Sequence, residues 1–252
     1  MVNIFQAKND IIEVGRRVWL KGWVASNDGN ISCRVSDDEV VCTPTGVSKG
    51  FLNLEDLIVV DMNGNKKYGG VLKPSSEIKM HLHVYRERPD VKAVCHAHPP
   101  TSTGFAVAGI SLDQCVLPEV VALMGQIPCA PYGLPSTDEI PQSITPYIKN
   151  SNAVLLANHG ALSWGDSLMQ AYYRMETMEH FANILLVAIQ LGKVNYFSED
   201  QVQALEGLRQ RFGLGGPFSG CRVGGVVPGV QSGHVKDVRD SGNGYDDKTP
   251  DL

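Results

Sequence analysis

The side chains best suited to chemistry stand in three short strings: His96-Ala97-His98, Asn158-His159-Gly160 and Ser75-Ser76-Glu77. Imidazole nitrogens bind zinc, and a site of three histidines leaves a further position open to water or substrate. The H-x-H spacing matters because side chains alternate along a strand. His96 and His98 therefore point to one side of an apolar strand, while Cys95 and Ala97 point to the other. His159 follows the apolar run Ala153-Val154-Leu155-Leu156 and brings a third imidazole to the same end of a sheet. Glu77, at a helix start, supplies the carboxylate that proton transfer needs. Each of these residues also has a plainer use. An H-x-H pair is often no more than two satisfied histidines, and an acid at a helix start offsets the helix dipole. His81, His83 and His180 lie within helical segments and are read as structural.

A second set of residues has the chemistry of an anion cradle. Asn27-Asp28-Gly29-Asn30 precedes Ile31-Ser32, Thr43-Pro44-Thr45-Gly46 follows an apolar strand, and Pro74-Ser75-Ser76 opens a helix. Each string offers free backbone N–H groups beside small hydroxyl or amide side chains, as a phosphate site does without a P-loop. Singly they are ordinary turns and caps; their specificity is collective.

The elements that must position these residues are legible from periodicity. Ile4, Ile11, Val14, Val18 and Trp19 predict an amphipathic helix over 3–21. Segments 38–43, 57–62, 92–98 and 153–158 are short and β-branched and predict strands, with a tight turn at Asn63-Gly64. Helices are expected over 75–88 and 166–191, and Ser198 with Gln201 forms a capping box for a last helix ending near Gly213. Strands interleaved with helices define a layered α/β domain, and the short links argue against a wholly parallel sheet.

Composition bounds the function. A chain of 252 residues, 43% hydrophobic, supports one sizeable core. A net charge of -5 provides no basic field for nucleic acid, which leaves a small anionic substrate open. No apolar run approaches the roughly 20 residues that span a bilayer. The first residues lack a basic or apolar leader pattern, so the expectation is a soluble, cytoplasmic protein without a membrane partner. The six cysteines form no C-x-x-C pair and are expected to be buried thiols. Nine of the 26 glycines fall in residues 214–252, which predicts a catalytic domain over 1–213 and a flexible tail over 214–252. A docking role for that tail, for instance in a bacterial microcompartment, is the second reading.

Taken in order, DGNIS, TPTG, PSSE, CHAHPP, CAPYG and NHG resemble the class II aldolase and adducin superfamily, most closely its L-fuculose-1-phosphate aldolase branch, from about Asn3 to Gly213. The resemblance implies a three-layer α/β/α fold with a largely antiparallel central sheet and a homotetramer with interfacial active sites. It assigns His96, His98 and His159 as ligands of one Zn2+ per subunit. Glu77 becomes the acid/base that also holds the metal when no substrate is bound. It gives Asn27, Asn30, Thr45, Gly46, Ser75 and Ser76 to the substrate phosphate, and Tyr132, from the neighbouring subunit, to proton donation at the aldehyde oxygen. The implied activity is reversible cleavage of a ketose 1-phosphate, such as L-fuculose 1-phosphate, to dihydroxyacetone phosphate and a short aldehyde such as lactaldehyde. Two positions depart from the pattern: Asn27 stands where the branch has Thr, and Phe212 where it has a C-terminal Tyr. Sister activities are a pentulose-phosphate 4-epimerase, disfavoured because Glu77 stands where those enzymes have Asp, a methylthioribulose-phosphate dehydratase, and a non-catalytic adducin-like module.

Overall fold

The computed structural model describes residues 3–211 and 218–223. Helix α1 (Ile4–Leu20) starts where the Asn3 side chain accepts from Phe5 N at 2.8 Å, and it buries Ala7, Ile11, Val14 and Val18 along one stripe. The chain then alternates: β1 (Asn30–Arg34), β2 (Val40–Cys42), β3 (Ile58–Val60), β4 (Lys66–Tyr68), α2 (Ile78–Glu87), β5 (Ala93–Ala97), α3 (Pro100–Val107) and α4 (Pro118–Leu123). It continues with β6 (Cys129–Ala130), α5 (Glu139–Ile148), β7 (Ala153–Leu156), β8 (Gly160–Gly165), α6 (Leu168–Gln190) and α7 (Glu199–Arg211).

The strands form one sheet in the order β4-β3-β2-β1-β5-β8-β7-β6, and every neighbouring pair is antiparallel except β6 with β7. Helices cover both faces, so the expected three-layer fold is the observed one. On one face α1, α3 and α6 pack over Ile31, Cys33, Cys95, Ala161 and Leu155. On the other, α2 and α5 pack over Val40, Ile58, Val94, Leu162 and Val154. The central strands are buried on both faces and read as near-continuous apolar runs.

The predicted helices over 3–21, 75–88 and 166–191 are present, as are four predicted strands. The capping box at Ser198 closes reciprocally, with Gln201 N to Ser198 Oγ at 3.3 Å and Ser198 N to Gln201 Oε1 at 2.9 Å. The strand expected over 153–158 stops at Leu156. Residues 157–159 instead form the tip of a hairpin that turns directly into β8, with Asn158 in the left-handed region at φ 56°.

Two expectations change at the C-terminal side. Cys115 and Cys221 are joined as a disulfide, so not all six cysteines are thiols. They lie 106 residues apart and come together only because residues 218–223 fold back onto the body. There Arg222 forms a bridge with Gln114 and an ion pair with Asp113 at 3.0 Å, and Gly220 O accepts from Gln126 N. This part of the segment expected to be flexible is therefore docked. Phe212, Gly213 and residues 224–252 lie outside the described residues.

Candidate metal centre

His96 is the fourth residue of β5: its partner on β1 is Asn30, and on β8 it faces Leu162. Its ring is fully buried, and Nδ1 lies 2.9 Å from Ala161 O. A carbonyl can only accept, so Nδ1 carries the proton and the Nε2 lone pair faces inward. His98 sits just past the end of β5, anchored by its N–H to Trp23 O, with its Nε2 3.2 Å from His96 Nε2. Its Nδ1 lies 3.5 Å from Asp28 Oδ2, a carboxylate placed to steady the ring. His159, at the hairpin tip, stacks edge-on against both, with ring centroids 4.7 and 5.2 Å away. Gly160 makes room for this: a Cβ there would fall 2.5 Å from the His98 ring.

The three imidazoles thus place one nitrogen each within 4.8 Å of the others. Burial, more than the neighbouring imidazoles, holds His96 well below the usual histidine range. Burial also lowers His159, against the pull of the Glu77 carboxylate. Neutral rings with converging lone pairs are the donor set that zinc takes. The residues present therefore fit a metal ion.

Glu77 completes the cluster from the start of α2. Its Oε1 lies 3.3 Å from His159 Nε2 and its Oε2 3.5 Å from His96 Nε2, while Asn30 Nδ2 donates to Oε2 at 2.8 Å. Asn30, expected at the phosphate, thus also aims the carboxylate. Below it Ser32 Oγ joins His81 Nδ1 at 2.7 Å and the Tyr85 hydroxyl at 2.8 Å, tying β1 to α2. His81 is fully buried and structural, as expected.

The cradle strings are brought together through a bridge between Pro44 and Pro74. The expectation that each offers free backbone N–H groups holds only in part. Thr45 N donates to Lys73 O and Ser75 N to Thr43 O, while Ser75 Oγ accepts from Glu77 N. Thr45 and Ser75 therefore have their hydroxyls, not their amides, to offer. Gly46 is left-handed with open space above it, Ser76 is exposed, and Asn27 Oδ1 accepts from the Ser26 hydroxyl. Tyr132 is 55% exposed beyond β6 and makes no ring contact with the histidines within the chain. Reading the sequence missed Asp28 as a partner of His98, although it stands inside DGNIS. It also missed Lys49, whose Ser48-Lys49-Gly50 setting carries the pattern of an exposed turn.

Three histidines and a carboxylate at one edge of a largely antiparallel α/β/α sheet make a cluster that could hold a metal ion. The chain belongs to the family of the class II aldolase and adducin N-terminal domain, whose model matches residues 9–186. It is 33% identical over 204 residues to a 3-oxo-tetronate 4-phosphate decarboxylase of Haemophilus influenzae, covering 79% of this chain and 95% of that one. It is 32% identical over 184 residues to an L-fuculose phosphate aldolase of Methanococcus vannielii, covering 73% and 98%. Among solved structures, YgbL from Klebsiella pneumoniae, a candidate aldolase, epimerase or decarboxylase, superposes with a TM-score of 0.74 at 30% identity, covering 81% and 100%. An L-fuculose 1-phosphate aldolase superposes with 0.75 at 26% identity, covering 81% and 96%.

Proposed function

We propose that the chain is a zinc-dependent aldehyde-lyase that reversibly cleaves a ketose 1-phosphate to dihydroxyacetone phosphate and a short aldehyde. The observation that carries the reading is the Glu77 carboxylate at 3.3 and 3.5 Å from two metal-ready imidazoles. Zinc held by His96, His98 and His159 supplies Lewis acidity toward the substrate's carbonyl and hydroxyl oxygens. In the condensation direction Glu77 takes a proton from the carbon beside the carbonyl, and in cleavage it returns that proton. Asn30 holds the carboxylate at the angle this transfer needs. Thr45, Ser75, Ser76, Asn27 and Gly46 orient the phosphate, and Tyr132 of a second copy gives a proton to the aldehyde oxygen, with the homotetramer as the working assembly. Residues 1–213 are the catalytic unit in this reading.

A second reading is decarboxylation of a 3-oxo acid phosphate, favoured by the 33% identity to a decarboxylase over 95% of its length. Both reactions place negative charge on the carbon beside a carbonyl and differ in the bond that breaks. The deciding experiment follows zinc-loaded protein with ketose 1-phosphates and with a 3-oxo-tetronate 4-phosphate. Release of dihydroxyacetone phosphate and an aldehyde from a ketose 1-phosphate supports the aldolase. Dihydroxyacetone phosphate formed with carbon dioxide from the 3-oxo-tetronate 4-phosphate, while the ketose 1-phosphates stay intact, replaces the aldolase by the decarboxylase, and turnover of neither substrate sinks both.

A further inference from the structure

Lys49 is the one lysine among the described residues in the fully buried class, 1% exposed, and the proposed chemistry does not use it. It sits in a 3-10 turn, Lys49–Phe51, whose backbone is pressed against α1: a Cβ on Gly15 would fall 2.6 Å from Lys49 O. With the backbone fixed there, the side chain runs inward and Nζ donates to Asn27 O at 2.9 Å and to Val47 O at 2.7 Å. These two carbonyls belong to the two turns that carry Asn27, Asn30, Thr45 and Gly46. Both partners are neutral. Burial lowers the ammonium to about 8 against the pull of the Asp28 carboxylate, the acid that faces it.

A buried cation held by carbonyls alone is a costly way to join two turns, since an apolar side chain of similar volume stabilises a fold at least as well. What a methionine or leucine cannot supply is a fixed positive charge beside an anion site. The chain carries a net charge of -5, so attraction of a phosphate has to be arranged locally. We propose that Lys49 is a positioning residue for anion binding, bracing the Asn27–Asn30 turn against the Thr45–Val47 turn with its charge behind the cradle. This rests on the phosphate role given to those turns. It adds what no cradle string shows alone: the two turns bind the anion as a unit because one ammonium holds both.

The test uses the full-length, zinc-loaded chain and inorganic phosphate followed by titration calorimetry. Lys49→Met keeps the length and the apolar stem and removes donors and charge, whereas Lys49→Arg keeps both. The expected result is phosphate binding about ten- to hundredfold weaker in Lys49→Met, zinc content unchanged, and much of the affinity restored in Lys49→Arg. In turnover the loss falls on KM for the sugar phosphate and much less on kcat. Equal phosphate affinity in wild type and Lys49→Met overturns the inference, and so does a loss confined to kcat. Should Lys49→Met fail to fold, hydrogen exchange on the wild-type chain decides instead. Phosphate must then slow exchange at both 27–30 and 45–47, and protection of one turn alone overturns the brace. Failure of the proposed function reads differently, as a wild-type chain that binds phosphate but turns over neither substrate class.

Discussion

The two faces of β5 share one backbone and carry opposite chemistry. Cys95 points into the α1 and α6 face, where burial pushes its thiol up to about 12 and makes it inert. His96, the next residue, points to the α2 face, where Asn30, Glu77 and the Ser32–His81–Tyr85 chain of hydrogen bonds gather. On the first face α6 lays Met175, Met178, Phe181, Ala182 and Leu185 over the sheet with no exposure above 1%. The second face is apolar away from the site and polar where β1 begins, β5 ends and the β7–β8 hairpin turns. Folding energy and chemistry are thus separated by the sheet. The α6 layer holds the strands rigid, and their ends then carry side chains in fixed relation.

That separation breaks most sharply at the histidines. His98→Ala removes one of three ligands from a ring cluster that contributes little apolar burial. The expected outcome is loss of bound zinc and at least about a thousandfold loss of turnover, with the unfolding midpoint of the metal-free protein nearly unchanged. Metal analysis beside a urea titration checks both halves. Glu77→Gln comes next: zinc stays on the three histidines, while exchange of the C3 proton of dihydroxyacetone phosphate with solvent falls about a hundred- to ten-thousandfold. Exchange at the wild-type rate in this variant removes Glu77 from proton transfer. From the opposite face, Phe181→Ala should cost about 3–5 kcal/mol of stability by opening a cavity under α6. The protein that remains folded should bind zinc normally. A zinc affinity that fell with Phe181 would erase the separation of the two faces.

Legibility in the sequence followed the same divide. α1 is readable because one stripe is apolar and the other is not, α6 because it is a long run with a broad apolar face, and β2, β3, β5 and β7 because they are β-branched and short. β1 does alternate polar Asn30, Ser32 and Arg34 with apolar Ile31 and Cys33, but it is only five residues long and follows directly on the turn residues Asn27-Asp28-Gly29, which drew the reading to a turn. β6 is two residues long, β4 is an exposed Lys-Lys-Tyr edge, and α5 carries Pro146 inside it. The clustered histidines were legible because the H-x-H spacing has a physical meaning on a strand. The Cys115–Cys221 bond and the two carbonyls under Lys49 were not, since each depends on segments that meet only in three dimensions.

The smallest effect tests the layer between the faces. His81 is fully buried with its imidazole pushed down to about 3 by burial, and it stays neutral against Ser32. An unfolded chain protonates the same ring near 6.5, so between pH 6.5 and 3 the unfolded state binds more protons and stability falls as pH falls. Above pH 6.5 the neutral ring is common to both states and its contribution is level. From pH 6.5 to 5 the loss from this one ring amounts to about 1.5–2 kcal/mol. His81→Gln keeps a donor and an acceptor but cannot titrate. The difference in urea stability between wild type and His81→Gln should therefore shift by that amount over this window, with zinc removed from both. A constant difference across the window would mean that α2 lifts off β1 and exposes the ring before the sheet unfolds. The carboxylate of Glu77 would then ride on a helix that moves independently of the strands bearing the histidines.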